Sequence, residues 1–274
     1  MLPTTTDTPA AVRNAPSHSP ATAAGLATGV VLIATAAIVY AALEFSNGWQ
    51  VIAGIVFMTA MLAALGRAIV GHAWGALISE HNVVSLSRWQ MAVWTIVVLS
   101  GYIAYVFARL RAGQTDPLAI EIDWRVWALL GMSTTSLVGA AAIVTTKNNE
   151  VPAAKATART AAALNQTEQE VDENRQGLLF ANPSMADAAF TDIFQGDEVA
   201  NAAHVDFAKV QMFYFTVAGA VAMVAVIVKH LRAGDLDHFP ALSEGFLTIL
   251  GISHAGYLGG KVITKTPLAE GEKA

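Results

Sequence analysis

The chain of 274 residues contains no cysteine and few charged residues. The absence of cysteine excludes disulfides, thiolate metal sites and cysteine nucleophiles, and it leaves the redox compartment open. Charged residues make up 14% of the chain, whereas soluble domains carry roughly 25%. Because 54% of the residues are hydrophobic, the shortage of charge predicts a protein with a large lipid-facing surface.

The net charge of −5 is confined to one segment. Residues 147–209 contain ten acidic and five basic residues, and the rest of the chain balances. Nucleic acid is not expected as a partner, because the sequence lacks the concentrated basic face that phosphate backbones require. The sequence also contains no P-loop, no H-E-x-x-H, no G-x-S-x-G and no dinucleotide fingerprint. These absences predict a protein that is not an enzyme and that uses no cofactor or metal.

Six hydrophobic runs are long enough to cross a bilayer, which requires about 20 mainly apolar residues. They predict an all-α, polytopic transmembrane bundle with six spans. Arg67 interrupts the second run, so its continuation over 68–78 can extend the helix, kink at a glycine or lie along the interface. The six runs cover residues 25–43, 49–70, 91–110, 124–145, 210–230 and 246–264.

Two of the predicted hairpins have related sequences. Residues 87–113 align with 208–234, and residues 127–139 align with 247–259. These alignments predict tandem, parallel two-helix repeats formed by spans three and four and by spans five and six. The identical residues include Gln90-Met91 and Leu110-Arg111-Ala112-Gly113, which recur as Gln211-Met212 and Leu231-Arg232-Ala233-Gly234.

The runs and the charge divide the chain into six segments. Within the acidic linker, Phe190, Ile193 and Phe194 fall on one helical face, which predicts a short amphipathic helix on the membrane surface or against neighbouring helices. The segments are a disordered tail (1–22), an N-terminal transmembrane hairpin (23–86), repeat 1 (87–146), an acidic cytoplasmic linker (147–207), repeat 2 (208–264) and a C-terminal tail (265–274).

Orientation follows from Lys and Arg near the span ends, which are more frequent on the cytoplasmic side. With the N-terminus inside, ten such residues lie on the inner side and five on the outer side. This excess predicts a multi-pass protein of the cell (inner) membrane with both termini in the cytoplasm.

Two ladders of small residues recur in predicted spans four and six. Residues four apart share a helix face, and small residues let two helices approach closely in lipid. The ladders are therefore interpreted as surfaces that pack repeat against repeat, with Ser133 and Ser253 bonding to their own helices or across. The ladder residues are Gly131, Thr135 and Gly139, and their equivalents Gly251, Ala255 and Gly259.

The pair Arg88-x-Gln90 recurs as Lys209-x-Gln211 at the starts of spans three and five. A cation at a helix N-terminus opposes the helix dipole, so its recurrence requires a reason. One interpretation is cytoplasmic anchoring, with the glutamines bonding at the interface. The other is a symmetry-related polar pair at a cytoplasmic vestibule.

His254 lies near the middle of predicted span six, where the first repeat has Thr134. An ionisable residue inside a span is a functional candidate. It is either a neutral imidazole satisfied by a neighbour or a proton-linked group that faces a path or ligand. Ser133 or Ser136 is the expected partner. Haem ligation is disfavoured, because it would need a second axial ligand and the histidine considered for that role, His72, lies at a span end.

Two functions are compatible with these features. The leading hypothesis is a non-enzymatic scaffold or assembly subunit whose acidic cytoplasmic segment binds a partner. The alternative is an ion channel or small transporter with a path at the repeat interface or in a homo-oligomer. Both hypotheses name the lipid bilayer as one partner and a second copy or another membrane protein as the other.

Overall fold

The computed structural model describes residues 20–269, and this part of the chain confirms the prediction of an all-α fold. Residues 1–19 of the predicted tail and residues 270–274 lie outside it. Two short strands, β1 (Glu121–Ile122) and β2 (His238–Phe239), pair in parallel. The helices are α1 (Pro20–Glu44), α2 (Trp49–Val70), α3 (Leu86–Arg111), α4 (Trp124–Thr146), α5 (Ala154–Leu164), α6 (Glu168–Asn174), α7 (Phe207–Ala233) and α8 (Glu244–Val262).

Five of these helices, α1, α2, α3, α4 and α7, are long and apolar enough to cross a membrane. They suggest a multi-pass membrane protein. The sixth predicted span forms as α8, whose 19 residues do not reach the same mean hydropathy. Its sequence explains the difference, because Glu244, His254 and Lys261 all lie within it.

The interrupted second run ends at a glycine. Gly71 has a φ of 81° and closes α2 by donating its backbone N–H to Arg67 O, a conformation that favours glycine at helix ends. The chain then folds back onto α2, where a Cβ on Gly75 would lie 2.7 Å from Gly66 O. The helix therefore ends at Gly71, and the rest of the run neither extends it nor kinks it.

The centre of the bundle is α3, which packs against α2, α4 and α7. Helix α8 packs against α4 and α7, and α1 packs mainly against α2. Equivalent helices of the sequence repeat are therefore neighbours, α3 beside α7 and α4 beside α8. Trp94 and Tyr105 of α3 are completely buried in the main core, as expected for a helix with neighbours on several sides.

Residues 147–206 form a folded layer at one end of the bundle, named here the cap. Leu178, Ile193 and Val199 are completely buried, so the predicted linker has its own packed interior. The predicted amphipathic α-helix is replaced by short 3-10 turns, including Phe190–Phe194. Asp192 holds this turn by accepting from the backbone N–H of Ala189 and from that of Val84 outside the cap.

The apolar side chains of this turn face the bundle. The rings of Phe190 and Phe194 lie edge-on to Phe213 of α7, with centroids 6.2 and 5.0 Å away. Of the two predicted locations, the segment thus occupies the one against neighbouring helices. The cap is consequently fixed over the start of α3 and α7 and the ends of α4 and α8.

Candidate functional site

A cleft of about 810 Å³ runs along α3 from the cap toward the middle of the bundle. Its floor is one face of α3, on which Ser87, Met91, Thr95 and Leu99 follow at four-residue spacing. Side chains four residues apart lie above one another on a helix. Helices α2 and α4 supply the walls, and the cap closes one end of the cleft.

The cleft is apolar away from the cap. Met58 and Met61 of α2 face Leu137 and Val138 of α4 across the floor. Methionine is flexible and polarisable, and it adapts to ligands of irregular shape. Val138 and Leu99 are exposed although they line the cleft. The apolar part is therefore open along its side.

The end beneath the cap is polar. Ser87 Oγ lies 2.7 Å from Tyr257 OH, and Arg88 donates to Ile78 O at 2.6 Å and pairs with Glu80. Ser79 and His81 line the same end. The atoms Ser79 Oγ and His81 Nε2 are buried and have no hydrogen-bond partner among the described residues. Burial lowers the pKa of His81, which leaves the imidazole neutral at pH 7.

Two lysines beneath the cap share one carboxylate. Lys209 of α7 donates to Asp197 Oδ1 at 2.8 Å and to Gln195 O at 2.5 Å. Lys261 of α8 donates to Asp197 Oδ2 at 2.5 Å. Burial opposes ionisation of Asp197, but the two ammonium groups outweigh it and hold its pKa well below the usual range. Asp197 therefore remains ionised.

A second buried ion pair fastens the cap to α4 and to the C-terminal segment. Lys147 Nζ donates to Glu198 Oε1 at 2.6 Å and to Lys261 O at 2.5 Å. Glu198 Oε2 accepts the backbone N–H groups of Lys265 and Thr266 at 2.8 and 2.7 Å. Both oxygens of this buried carboxylate are thus satisfied, which buried charges require.

A separate polar cluster lies inside the bundle, around His254. Gln90 Nε2 donates to Thr216 Oγ1 at 2.9 Å and lies 2.7 Å from His254 Nε2. On the other side of the ring, Ser136 Oγ contacts Nδ1. Of the two predicted partners of His254, Ser136 makes the contact. Ser133 Oγ is buried without a partner among the described residues, as is Ser253 Oγ.

The two copies of the cation-glutamine motif occupy different places. Arg88 and Lys209 both line the polar end of the cleft. Gln90 is completely buried, whereas Gln211 is exposed. The two cations of the motif therefore lie at one site, whereas its two glutamines lie in different environments.

The ladders of small residues are not the contact surface between the repeats. Helices α4 and α8 do pack together, and two ladder residues border their contact. A Cβ added to Gly139 would lie 3.4 Å from Leu258, and one added to Gly251 would lie 3.5 Å from Met132. The prediction is wrong for the remaining positions, because the seam runs along the buried faces that carry Ser136 and His254. Gly131, Thr135, Ala255 and Gly259 are exposed.

Several residues of the site were not singled out by sequence reasoning, notably Asp197, Glu198, Tyr257 and Lys261. One signal for them existed. The adjacent acids Asp197 and Glu198 lie in the cap, and lysines flank the predicted spans that end or begin at the same side. Pairing these lysines with the cap acids would have found the network.

No protein family matches the sequence, and neither does any curated protein or solved structure. The function is therefore argued from the geometry of the chain.

Proposed function

We propose that this chain is a non-enzymatic, integral membrane protein with six spans that binds a lipid-like amphiphile in the cleft along α3. The observation that supports the proposal is the two-part lining of the cleft. Aliphatic and methionine side chains line its open length, and hydroxyl and charged groups line its end beneath the cap. A ligand with an apolar chain and a polar head matches both parts.

The dimensions of the cleft suit such a ligand. Its volume of about 810 Å³ falls within the range of about 300–1,000 Å³ that small-molecule sites occupy. The floor from Ser85 to Leu99 is roughly 21 Å long at 1.5 Å per residue. One leaflet of hydrocarbon is about 15 Å thick. A chain lying in the cleft would therefore reach from the membrane interface to the middle of the bilayer.

The proposed arrangement in the membrane places the cap in the cytoplasm of a cell (inner) membrane. Lys147, Lys209 and Lys261 lie at the cap end of their helices, in keeping with the excess of cations on the cytoplasmic side. Six spans then place both termini in the cytoplasm. In this arrangement the hairpins α3–α4 and α7–α8 are the tandem parallel repeats.

Binding is preferred to the two functions considered from the sequence. A purely structural scaffold has no use for an open cleft with a polar end. A channel through the repeat interface would need a hydrated path at His254, yet this side chain is 5% exposed and is enclosed by Gln90 and Ser136. An amphiphile-binding protein uses the cleft and leaves His254 a structural role.

The test is retention of lipid by the purified protein. We expect the detergent-purified chain to carry a bound lipid in native mass spectrometry and to crosslink to a photoreactive lipid through α2, α3 or α4. Thr95→Trp places an indole on the cleft floor and should abolish both signals. Leu110→Trp is the matched control, because Leu110 lies on α3 but is exposed outside the cleft. Equal lipid retention by both variants would contradict the proposal.

A further inference from the structure

We infer that the polar end of the cleft selects an uncharged head group that carries hydroxyls, so that the ligand is a neutral lipid of the acylglycerol type. This inference rests on the proposed function and names the class of its ligand. It is supported by the balance of charge at the polar end and by the hydroxyl and imidazole groups that lie there.

The charged side chains at the polar end sum to zero. Arg88 is paired with Glu80. Burial lowers the pKa of His81, so this imidazole adds no charge at pH 7. Three acids therefore stand against three bases among the residues that line the cleft, namely Glu80, Asp192 and Asp197 against Arg88, Lys209 and Lys261.

The charges nearest the cap compensate one another. Lys209 and Lys261 share the carboxylate of Asp197 at 2.8 and 2.5 Å. Lys209 also acts on the carboxylate of Asp192, which accepts two backbone N–H groups at 3.1 and 2.9 Å. Two lysines are thus matched by two carboxylates, and neither sign is left in excess.

A charged head group gains little from such an end. It loses hydration when it enters the cleft. Its attraction to three side chains of opposite sign is offset by repulsion from three side chains of its own sign, so the lost hydration is not compensated. An uncharged head has a much smaller desolvation cost, and the balance of charge therefore favours it.

The remaining polar groups at this end suit a hydroxyl. Ser79 and His81 line the cleft, and their Oγ and Nε2 atoms have no partner among the described residues. A serine hydroxyl both donates and accepts, and a neutral imidazole nitrogen does one or the other according to its tautomer. A ligand hydroxyl can match either state, whereas an ionised carboxylate only accepts and an ammonium group only donates.

The test compares four amphiphiles that share an oleoyl or oleyl chain and differ in the charge of the head. They are monooleoylglycerol, oleyl sulfate, oleyltrimethylammonium and oleoyl lysophosphatidylcholine, and their affinities for the full-length protein are measured by native mass spectrometry. The sulfate and trimethylammonium groups stay charged across the usable pH range, so protonation of the ligand does not affect the comparison. We expect monooleoylglycerol to bind about tenfold more tightly than each of the others.

Two variants change the balance in opposite directions. Glu80→Gln leaves one positive charge in excess, so the affinity for oleyl sulfate relative to monooleoylglycerol should rise about threefold. Arg88→Gln leaves one negative charge in excess, and the relative affinity for oleyltrimethylammonium should rise by a similar factor. The factor is modest because Glu80 is 75% exposed and water screens its charge.

The matched controls come from another acid–arginine pair of the cap. Asp172 and Arg175 are paired at 2.7 Å and do not line the cleft. Asp172→Asn and Arg175→Gln should therefore leave all the affinity ratios unchanged. If Arg88→Gln does not fold, Glu80→Gln and Asp172→Asn provide the comparison by themselves.

The outcomes separate this inference from the proposed function. Binding of none of the four amphiphiles would overturn the proposed function. Equal binding of all four, or tighter binding of a charged one, would overturn the neutral head and leave the cleft as a lipid site. If lysophosphatidylcholine binds as tightly as monooleoylglycerol, the site takes a zwitterion and the inference is wrong.

Discussion

The two copies of the sequence repeat have the same polar frame but different surroundings. Gln90 of α3 is completely buried, and its equivalent, Gln211 of α7, is exposed. Trp94 is also completely buried, whereas the equivalent Phe215 is half-buried. The cause is the position of α3, which has α2 on one side and α4 and α7 on the others. A repeated local sequence therefore does not determine a repeated environment.

The second helices of the two hairpins differ in the same way. Thr134 of α4 is exposed and donates to Leu130 O of its own helix at 3.0 Å. Its equivalent, His254 of α8, is buried against Gln90 and Ser136. The cleft follows the same asymmetry, because its floor is formed by α3.

The largest expected effect concerns the two equivalent cations, Arg88 and Lys209. Asp197→Asn leaves Lys209 and Lys261 without their carboxylate. Breaking a buried pair costs about 3–5 kcal/mol, and we expect a value near the lower end because 27% of the Asp197 side chain is exposed. Glu80→Gln removes the partner of Arg88, but this pair is exposed, and such pairs contribute about 0–1 kcal/mol. Thermal unfolding in detergent should separate the variants. Equal shifts would show that the two cations are equivalent after all.

The same comparison has a pH dependence. The lysines hold the pKa of Asp197 well below its usual range against the effect of burial. A carboxyl whose pKa is lowered by folding adds stability above its unfolded pKa, near 4, and this stability is lost as the pH falls further. The wild-type melting temperature should therefore fall more steeply below pH 4 than that of Asp197→Asn. Parallel curves for the two proteins would exclude Asp197 as the group responsible.

The next effect tests which glycines lie at helix contacts. A Cβ on Gly219 would lie 2.7 Å from Phe246 and 2.9 Å from Trp94. Gly219→Leu should therefore destabilise the protein, since overpacking costs about 1–3 kcal/mol. Gly131→Leu is the control, because no atom lies within 4 Å of an added Cβ there, and it should change the melting temperature little. A larger loss of melting temperature for Gly131→Leu than for Gly219→Leu would show that the ladder containing Gly131 is a packing surface.

The helices could be predicted from the sequence because a bilayer imposes a minimum apolar length, which hydropathy measures directly. The packing between them could not. A ladder of small residues indicates a helix face but not the direction in which that face points. Glycines that do meet a neighbouring helix closely, such as Gly54, Gly101 and Gly219, are isolated in the sequence, and their role becomes visible only when the residue opposite each of them is known.

The site was predictable only in part. Arg88 and Lys209 were recognised because a cation at a helix start is unfavourable and recurs. Their partners were not, because Asp197 belongs to a cap held together by buried residues such as Leu178 and Ile193 that show no helical or strand period. The cleft itself depends on the separation between α2 and α4 along α3. No local sequence pattern predicts that separation.

The smallest effect concerns the glutamines, which most directly measure how far the two copies have diverged. Gln90→Leu removes the contact to His254 and the hydrogen bond to Thr216. Thr216 still donates to Met212 O at 2.8 Å, so the imidazole is the main group left without its partner. Hydrogen bonds between membrane helices contribute about 0.6 kcal/mol on average, and a buried group left unsatisfied costs about 1–3 kcal/mol.

We therefore expect a loss of about 1 kcal/mol for Gln90→Leu. For Gln211→Leu, an exposed position, we expect a change within about 0.5 kcal/mol. Denaturation of the two variants in the same detergent provides the measurement, and Gln90→Leu combined with His254→Leu provides the double-mutant cycle. A cycle without coupling would mean that the 2.7 Å contact contributes nothing. In that case the burial of Gln90 would be a consequence of the central position of α3 alone.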